Sequence, residues 1–293
     1  MYILSLIRNL FKWSNIGTII FFLLNVGVLL AVFGATDIES VIAILILYLI
    51  SIAIAISPIG EAVLALMSGA KRMSRADMQS RMIPIVTRVH NRALAKSPGL
   101  SKVIHLKVMY DPVPNAFALG RRTICITEGL FDLTDDMIEG IIAHEIGHLA
   151  CHHTVIQLLI GGGNFIITFI LMLVKGIAAL LTGIGALFSF SRDKTASGCG
   201  CIMSIVGLIS SGIIWLWTKF CMLFLMWSSR ANEYDADKYA MEIGFGYELA
   251  SALDTIGTGV PQNSLIKALY SSHPETHDRI GKLQALGVPY SRY

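Results

Sequence analysis

His144-Glu145-Ile146-Gly147-His148 places two imidazoles four residues apart. On a helix this spacing puts both on one face, one turn above the other. Their ring nitrogens can then meet a single ion at about 2.0–2.1 Å. Glu145 follows the first histidine directly and can reach a water on that ion, which is the place of the general base in a zinc hydrolase. Zinc brings the pKa of such a water toward about 7, so hydroxide becomes available at neutral pH. The plainer alternative is an ordinary helix that carries two histidines and a glutamate. Ile138, Ile141, Ile142 and Leu149 weigh against it, because they make the helix a buried one and buried polar groups need partners.

A catalytic zinc needs a third protein ligand. A metzincin would have glycine at 151 and histidine at 154, but the chain has Cys151 and Thr154, and His153 is one residue out of register. Further on, Glu233 and Asp237 stand four apart on what would again be one helical face. Glu233 can complete a His-His-Glu set, and Asp237 can accept a hydrogen bond from a ligand histidine and so fix its tautomer. Alone, the pair would also suit a solvated acidic face balanced by Arg230 and Lys238.

The elements that must carry these residues lie in an unusually apolar chain, 54% hydrophobic and 15% charged over 293 residues. Ile16 to Ala35 and Val41 to Ile56 hold no ionisable group and predict a hairpin of two transmembrane helices. A cleaved signal peptide is the competing view of the first stretch, and the second apolar stretch close behind it argues for a retained span. Arg8 and Lys12 precede the hairpin, Asp37 and Glu39 sit at its tip, and Lys71, Arg72, Arg75 and Arg81 follow. The excess of cations on the outer flanks places both on the cytoplasmic side. The net charge of +3 comes largely from these flanks, which suits anionic lipid and not nucleic acid. Cys125, Cys151, Cys199, Cys201 and Cys221 are odd in number and scattered, so no disulfide framework is expected.

Residues 1–70 are thus the first hairpin, and 71–154 the first half of a catalytic domain. That half begins with an amphipathic helix through Ile83, Ile85, Val86, Val89 and Leu94. Ser97-Pro98-Gly99 ends the helix, and two strands of a small sheet follow at Val103 to Tyr110 and Thr123 to Thr127. Thr134 caps the motif helix, with Asp135 and Asp136 at its positive end. Residues 155–227 form a second hydrophobic hairpin. Lys175 and Gly161-Gly162-Gly163 leave open whether it crosses the bilayer or lies at the surface. Residues 228–293 complete the catalytic domain, so the two halves of the site flank that hairpin.

Taken together, the ordered set resembles the HtpX proteins and, more broadly, the gluzincin peptidases that include the CaaX-processing prenyl protease. The set comprises the leading spans, Asn115-Ala116-Phe117-Ala118, His144 to His148, a hydrophobic hairpin, Arg230 to Asp237 and His273-Pro274. The resemblance implies a mainly α membrane protein whose transmembrane helices carry a cytoplasmic α+β zincin-like domain, multi-pass in the plasma (inner) membrane, with one zinc ion per chain. It implies that Asn115 lies by the active site and helps hold substrate or its polarised carbonyl. It also implies that His273 donates to the oxyanion, and that Arg279 has a structural or supporting part. Around the motif, Cys151-His152-His153 departs from the short polar turn usual in the family. His152 and His153 are read as supporting or exposed, not as extra ligands.

The expectation is a zinc metalloendopeptidase of membrane protein quality control, acting on damaged or misfolded membrane proteins. Substrate would add as a strand along the edge formed by residues 103–127. Intramembrane cleavage of the site-2 kind fits less well, because Asp135, Asp136 and Glu139 precede the motif. A non-catalytic membrane scaffold or chaperone and a prenyl-protein processing peptidase are the other readings. Beyond protein substrates and the lipid bilayer, the sequence does not decide whether a homo-oligomer forms.

Overall fold

The computed structural model describes residues 2–12, 15–156, 230–257 and 276–291, with isolated positions between 158 and 216. Apart from those positions and the first residues after 154, the second hydrophobic hairpin lies outside the described residues, and so does His273.

Helix α1 is Tyr2–Leu10, and α2 (Ile16–Val32) and α3 (Ile38–Ala55) form the first apolar pair. The pair is joined through Leu29, Ile44, Tyr48 and Ile52, with the Phe22 and Tyr48 rings edge to face at 4.8 Å. Asp37 starts α3 by accepting the Ser40 N–H at 2.8 Å. With 18 residues of mean hydropathy 2.6, α3 is the one helix among the described residues long and apolar enough to cross a membrane. At about 1.5 Å per residue it spans roughly 27 Å, near the ~30 Å of a hydrocarbon core. Ile42, Ile46, Leu49 and Ile50 stay exposed along it. Helix α2, expected as an equal partner, has 17 residues and falls short of the same length.

A shorter helix, α4 (Pro58–Met67), follows at once. Ser57 caps it by accepting the Ile59 N–H, and Pro58 occupies a first-turn position where a missing N–H costs nothing. The start of α4 comes so close to the end of α3 that a Cβ at Gly60 would lie 2.0 Å from the Ala55 carbonyl oxygen, so only glycine fits there.

Four short strands make a mixed sheet: β1 (Lys71–Arg72), β2 (His105–Met109), β3 (Ala116–Leu119) and β4 (Thr123–Thr127), in the order β1-β2-β4-β3. All five residues of β4 are buried. β4 runs parallel to β2 and antiparallel to β3, with Ala118 opposite Ile124, which leaves β3 as an edge strand. The sequence anticipates β2 and β4 but not β1 or β3. Helix α5 (Ala76–Lys96) presents Met82, Ile85, Val86, Val89 and Ala93 to the core. Ile83, grouped with that stripe by spacing, is instead 52% exposed, because the buried face turns between Met82 and Ile85 and passes it by.

Helix α6 (Asp135–Ala150) carries the metal motif and packs on α5, on β3 and on the later helix Gly246–Gly257 (α8). Thr134 caps it through the Met137 N–H. Between them in sequence lie the helical residues 230–242 (α7), and Thr276–Ala285 (α9) packs on α8. Met82, Ile124, Leu130, Ile142, Leu249 and Leu283 belong to one continuous core. The chain before residue 157 and the chain after residue 229 thus bury their apolar faces against each other, the main driving force for bringing them together.

Candidate metal centre

His144 and His148 project from one side of α6, and α7 supplies Glu233 opposite them. The Nε2 atoms of the two histidines are 3.1 Å apart, and each is 3.3 Å from a Glu233 carboxylate oxygen. All three ligand atoms fall within 4.8 Å of one another, a cluster able to hold a metal ion. All three side chains are largely buried. The approach of α7 depends on Gly147, where a Cβ would lie 2.9 Å from the Ala236 carbonyl oxygen and 3.1 Å from its Cα. The glycine inside the motif is therefore what lets Glu233 reach the histidines.

Around this triad lies a ring of supporting contacts. His144 Nδ1 is 2.8 Å from an Asp237 carboxylate oxygen, which leaves Nε2 for the cluster. Arg279 of α9 grips Asp237 with Nε and Nη2 at 2.8 and 2.6 Å, a forked pair, and its Nη1 lies 3.5 Å from Glu233. Burial alone would raise the Asp237 pKa, but Arg279 overrides it and holds the carboxyl at about 2. Burial and Arg279 would push His144 down, yet its hydrogen bonds to Asp237 and Glu233 prevail and lift it to about 10. The buried carboxylates thus favour positive charge at this point, as a cation site requires.

His148 is supported differently. Its Nδ1 lies 3.1 Å from Nδ1 of His153, whose Nε2 is 4.0 Å from Asp235. Asp235 in turn is 3.8 Å from Lys12, beyond the end of α1. The turn that brings His153 back is made at His152, whose φ of 62° is the one non-glycine positive value among the described residues. Such a backbone costs an L-residue of order 1 kcal/mol and persists where surrounding contacts fix it.

Glu145 is buried beside the ligands, and its Oε2 accepts the Ala118 N–H at 2.7 Å. Since Ala118 sits on the edge strand β3, the carboxylate is moored to the rim of the sheet. Asn115 precedes that strand. Its N–H donates to Thr127 Oγ1 at 2.7 Å and its carbonyl accepts the Thr127 N–H at 2.9 Å. Among the described residues no hydrogen bond joins its side chain to Glu145 or to the triad. The structure therefore gathers His144, His148, Glu233, Glu145, Asp237 and Arg279.

Sequence reasoning missed the mooring of Glu145 and the packing need at Gly147. It also left the direct partnership of His153 with His148 undecided. Only Gly147 has a local signal, since glycine in a helix interior costs about 1 kcal/mol relative to alanine and invites a packing reason.

Residues 78–286 match the family model described as Peptidase family M48. The chain is similar to the "Protease HtpX homolog" of Pyrococcus abyssi, 31% identical over 231 residues, which cover 67% of this chain and 71% of that one. It is similar to proteins of the same description in Janthinobacterium, 30% identical over 227 residues and covering 70% and 71%, and in Thermococcus sibiricus, 29% identical over 222 residues and covering 67% and 71%. Among solved structures, S. mikatae Ste24p aligns at 19% identity with a TM-score of 0.46, over 96% of this chain and 65% of that one. With the family model spanning most of the sequence, the chain belongs to peptidase family M48 and is a protease.

Proposed function

We propose that the chain is a membrane-integrated zinc endopeptidase that hydrolyses peptide bonds of damaged or misfolded membrane proteins. The observation that carries this reading is the meeting of His144, His148 and Glu233 beside a glutamate moored to an edge strand. Ligand atoms 3.1–3.3 Å apart suit a small ion. Tetrahedral zinc with bonds of about 2.0–2.1 Å separates its ligands by roughly 3.4 Å, so the donor set and its spacing fit zinc. When bound, zinc supplies Lewis acidity that polarises a peptide carbonyl and lowers the pKa of water toward about 7.

The chain's own residues do the rest. Substrate pairs as an added strand with the free side of β3, recognised through its backbone and so with little dependence on sequence. Glu145 takes the proton of the attacking water on its carboxylate and passes it to the departing amine nitrogen. Asp237 holds His144 in the tautomer that presents Nε2, and Arg279 fixes Asp237. His273 and Asn115 are assigned, through the resemblance, to steadying the oxyanion.

The flank cations Lys71, Arg72 and Arg75 support a catalytic domain on the cytoplasmic side. The chain is read as multi-pass in the plasma membrane, with α2, α3 and residues 155–227 as its membrane parts.

The test is Glu145→Gln in the purified protein with an unfolded membrane protein as substrate, with and without a zinc chelator. The variant is expected to keep about one zinc per chain and to lose cleavage. Undiminished cleavage in that variant would sink the assignment.

A further inference from the structure

One contact ties the membrane-proximal helix α4 to the catalytic strand. Glu61, on the face of α4 turned to the sheet, reaches the β3–β4 turn. One carboxylate oxygen accepts the Thr123 hydroxyl, and the other accepts the Arg121 N–H at 3.4 Å. The carboxylate fills the space where Gly120 lacks a side chain, since a Cβ there would lie 2.7 Å from Glu61 Oε2. Gly120 has a φ of +59°, a conformation open to glycine, so the turn leaves room for the carboxylate by its own sequence.

A second hold comes from Thr154, just beyond α6, which donates to the Gly120 carbonyl at 2.5 Å. Below, Ala65 of α4 packs with Leu119 and Cys125 in a small apolar cluster. The turn is thus held twice, by the helix that follows the membrane segment and by the chain that follows the metal helix.

The strand so held is the one that donates to Glu145. Thr123 pairs with Leu119, the neighbour of Ala118, whose N–H binds Glu145 Oε2. We infer that Glu61 is a positioning residue for peptide hydrolysis: by clamping Thr123 and the Arg121 N–H it sets the β3 strand, and with it the placement of Glu145. The inference rests on the reading of Glu145 as the base. Glu61 touches no ligand of the metal triad, so its effect runs through β3.

The test uses the full-length, zinc-loaded protein in detergent, with Glu61→Ala, Thr123→Val and Thr123→Ser compared on an unfolded membrane-protein substrate. Displacing a base by a fraction of an ångström to about 1 Å costs on the order of ten- to a hundredfold in rate. The expected result is a fall of that size in kcat for Glu61→Ala and Thr123→Val, with KM and zinc content held. Thr123→Ser, which keeps the hydroxyl, should restore kcat. Hydrogen exchange across residues 116–123, which needs no turnover, should quicken in the first two variants and not in the third.

Wild-type kcat and exchange in Glu61→Ala and Thr123→Val would overturn the inference, and so would a parallel loss of zinc and rise in KM, which marks general damage. Glu145→Gln is measured alongside. If it stays active the reading of the base fails, whereas loss there with wild-type Glu61→Ala refutes the clamp alone.

Discussion

Replacing Gly147 by alanine tests whether helix contact sets the metal site. The added Cβ would sit 2.9 Å from the Ala236 carbonyl oxygen and 3.1 Å from its Cα. Comfortable contacts begin near 3.5 Å, so α7 must retreat by roughly half an ångström. Two opposing energies decide the outcome. Alanine gains about 1 kcal/mol over glycine as a helix former, while forcing a methyl into packed backbone costs about 1–3 kcal/mol. The protein without metal should therefore lose no more than about 2 kcal/mol of stability.

Zinc binding should suffer more. Glu233 lies on α7 one turn before Ala236, and a metal site tolerates displacement of only about 0.5 Å. If the 1–3 kcal/mol of strain is relieved at the carboxylate, zinc affinity falls by roughly 5- to 150-fold. Competition against a chromophoric chelator measures the affinity, and thermal unfolding of the metal-free protein separates the two effects. Zinc affinity within about twofold of wild type would show that the close approach at Gly147 does not govern Glu233.

The ring around the triad gives three further expectations. Arg279→Ala leaves the Asp237 carboxylate buried without its forked partner, so it should cost about 3–5 kcal/mol of stability, read by denaturant unfolding. Arg279→Lys, which keeps the charge but not the fork, should recover only part of that loss. His153→Ala removes the partner of His148 Nδ1 and should weaken zinc about 10- to 100-fold in the same competition assay, with His153→Asn retaining more of the affinity. Burial pushes the Cys125 thiol up to about 12. Alkylation of the native protein at pH 8.5, followed by peptide mass mapping, should leave Cys125 unmodified until denaturant is added.

How much of this was open to reading from sequence follows from the range of each signal. The α6 and α7 faces are written in pairs of residues four apart, a periodicity strong enough to place His144, His148, Glu233 and Asp237 on facing helices. Strand β3 has only four residues, Ala116 to Leu119, two of them small, between Pro114 and Gly120, and so short a run carries no alternation to count. Helix α4 does have a mark in Ser57-Pro58, an N-cap and first-turn pair, but its apolar residues continue those of α3, and residues 1–70 read as one hairpin. The partnership of His148 with His153 depends on a left-handed turn at His152, which no spacing rule anticipates. Contacts between distant segments, such as Glu61 with Thr123, leave no local trace at all.

The triad joins residues that lie far apart in the chain, with His148 made well before Glu233. At about 5–20 residues per second, the ribosome needs roughly 4 to 17 s to pass from one to the other. Through that interval the nascent chain holds two histidines and the base without a third ligand, and Arg279 is later still. A half-made chain therefore lacks the complete His-His-Glu cluster, and the ring around that cluster closes only when α9 has docked.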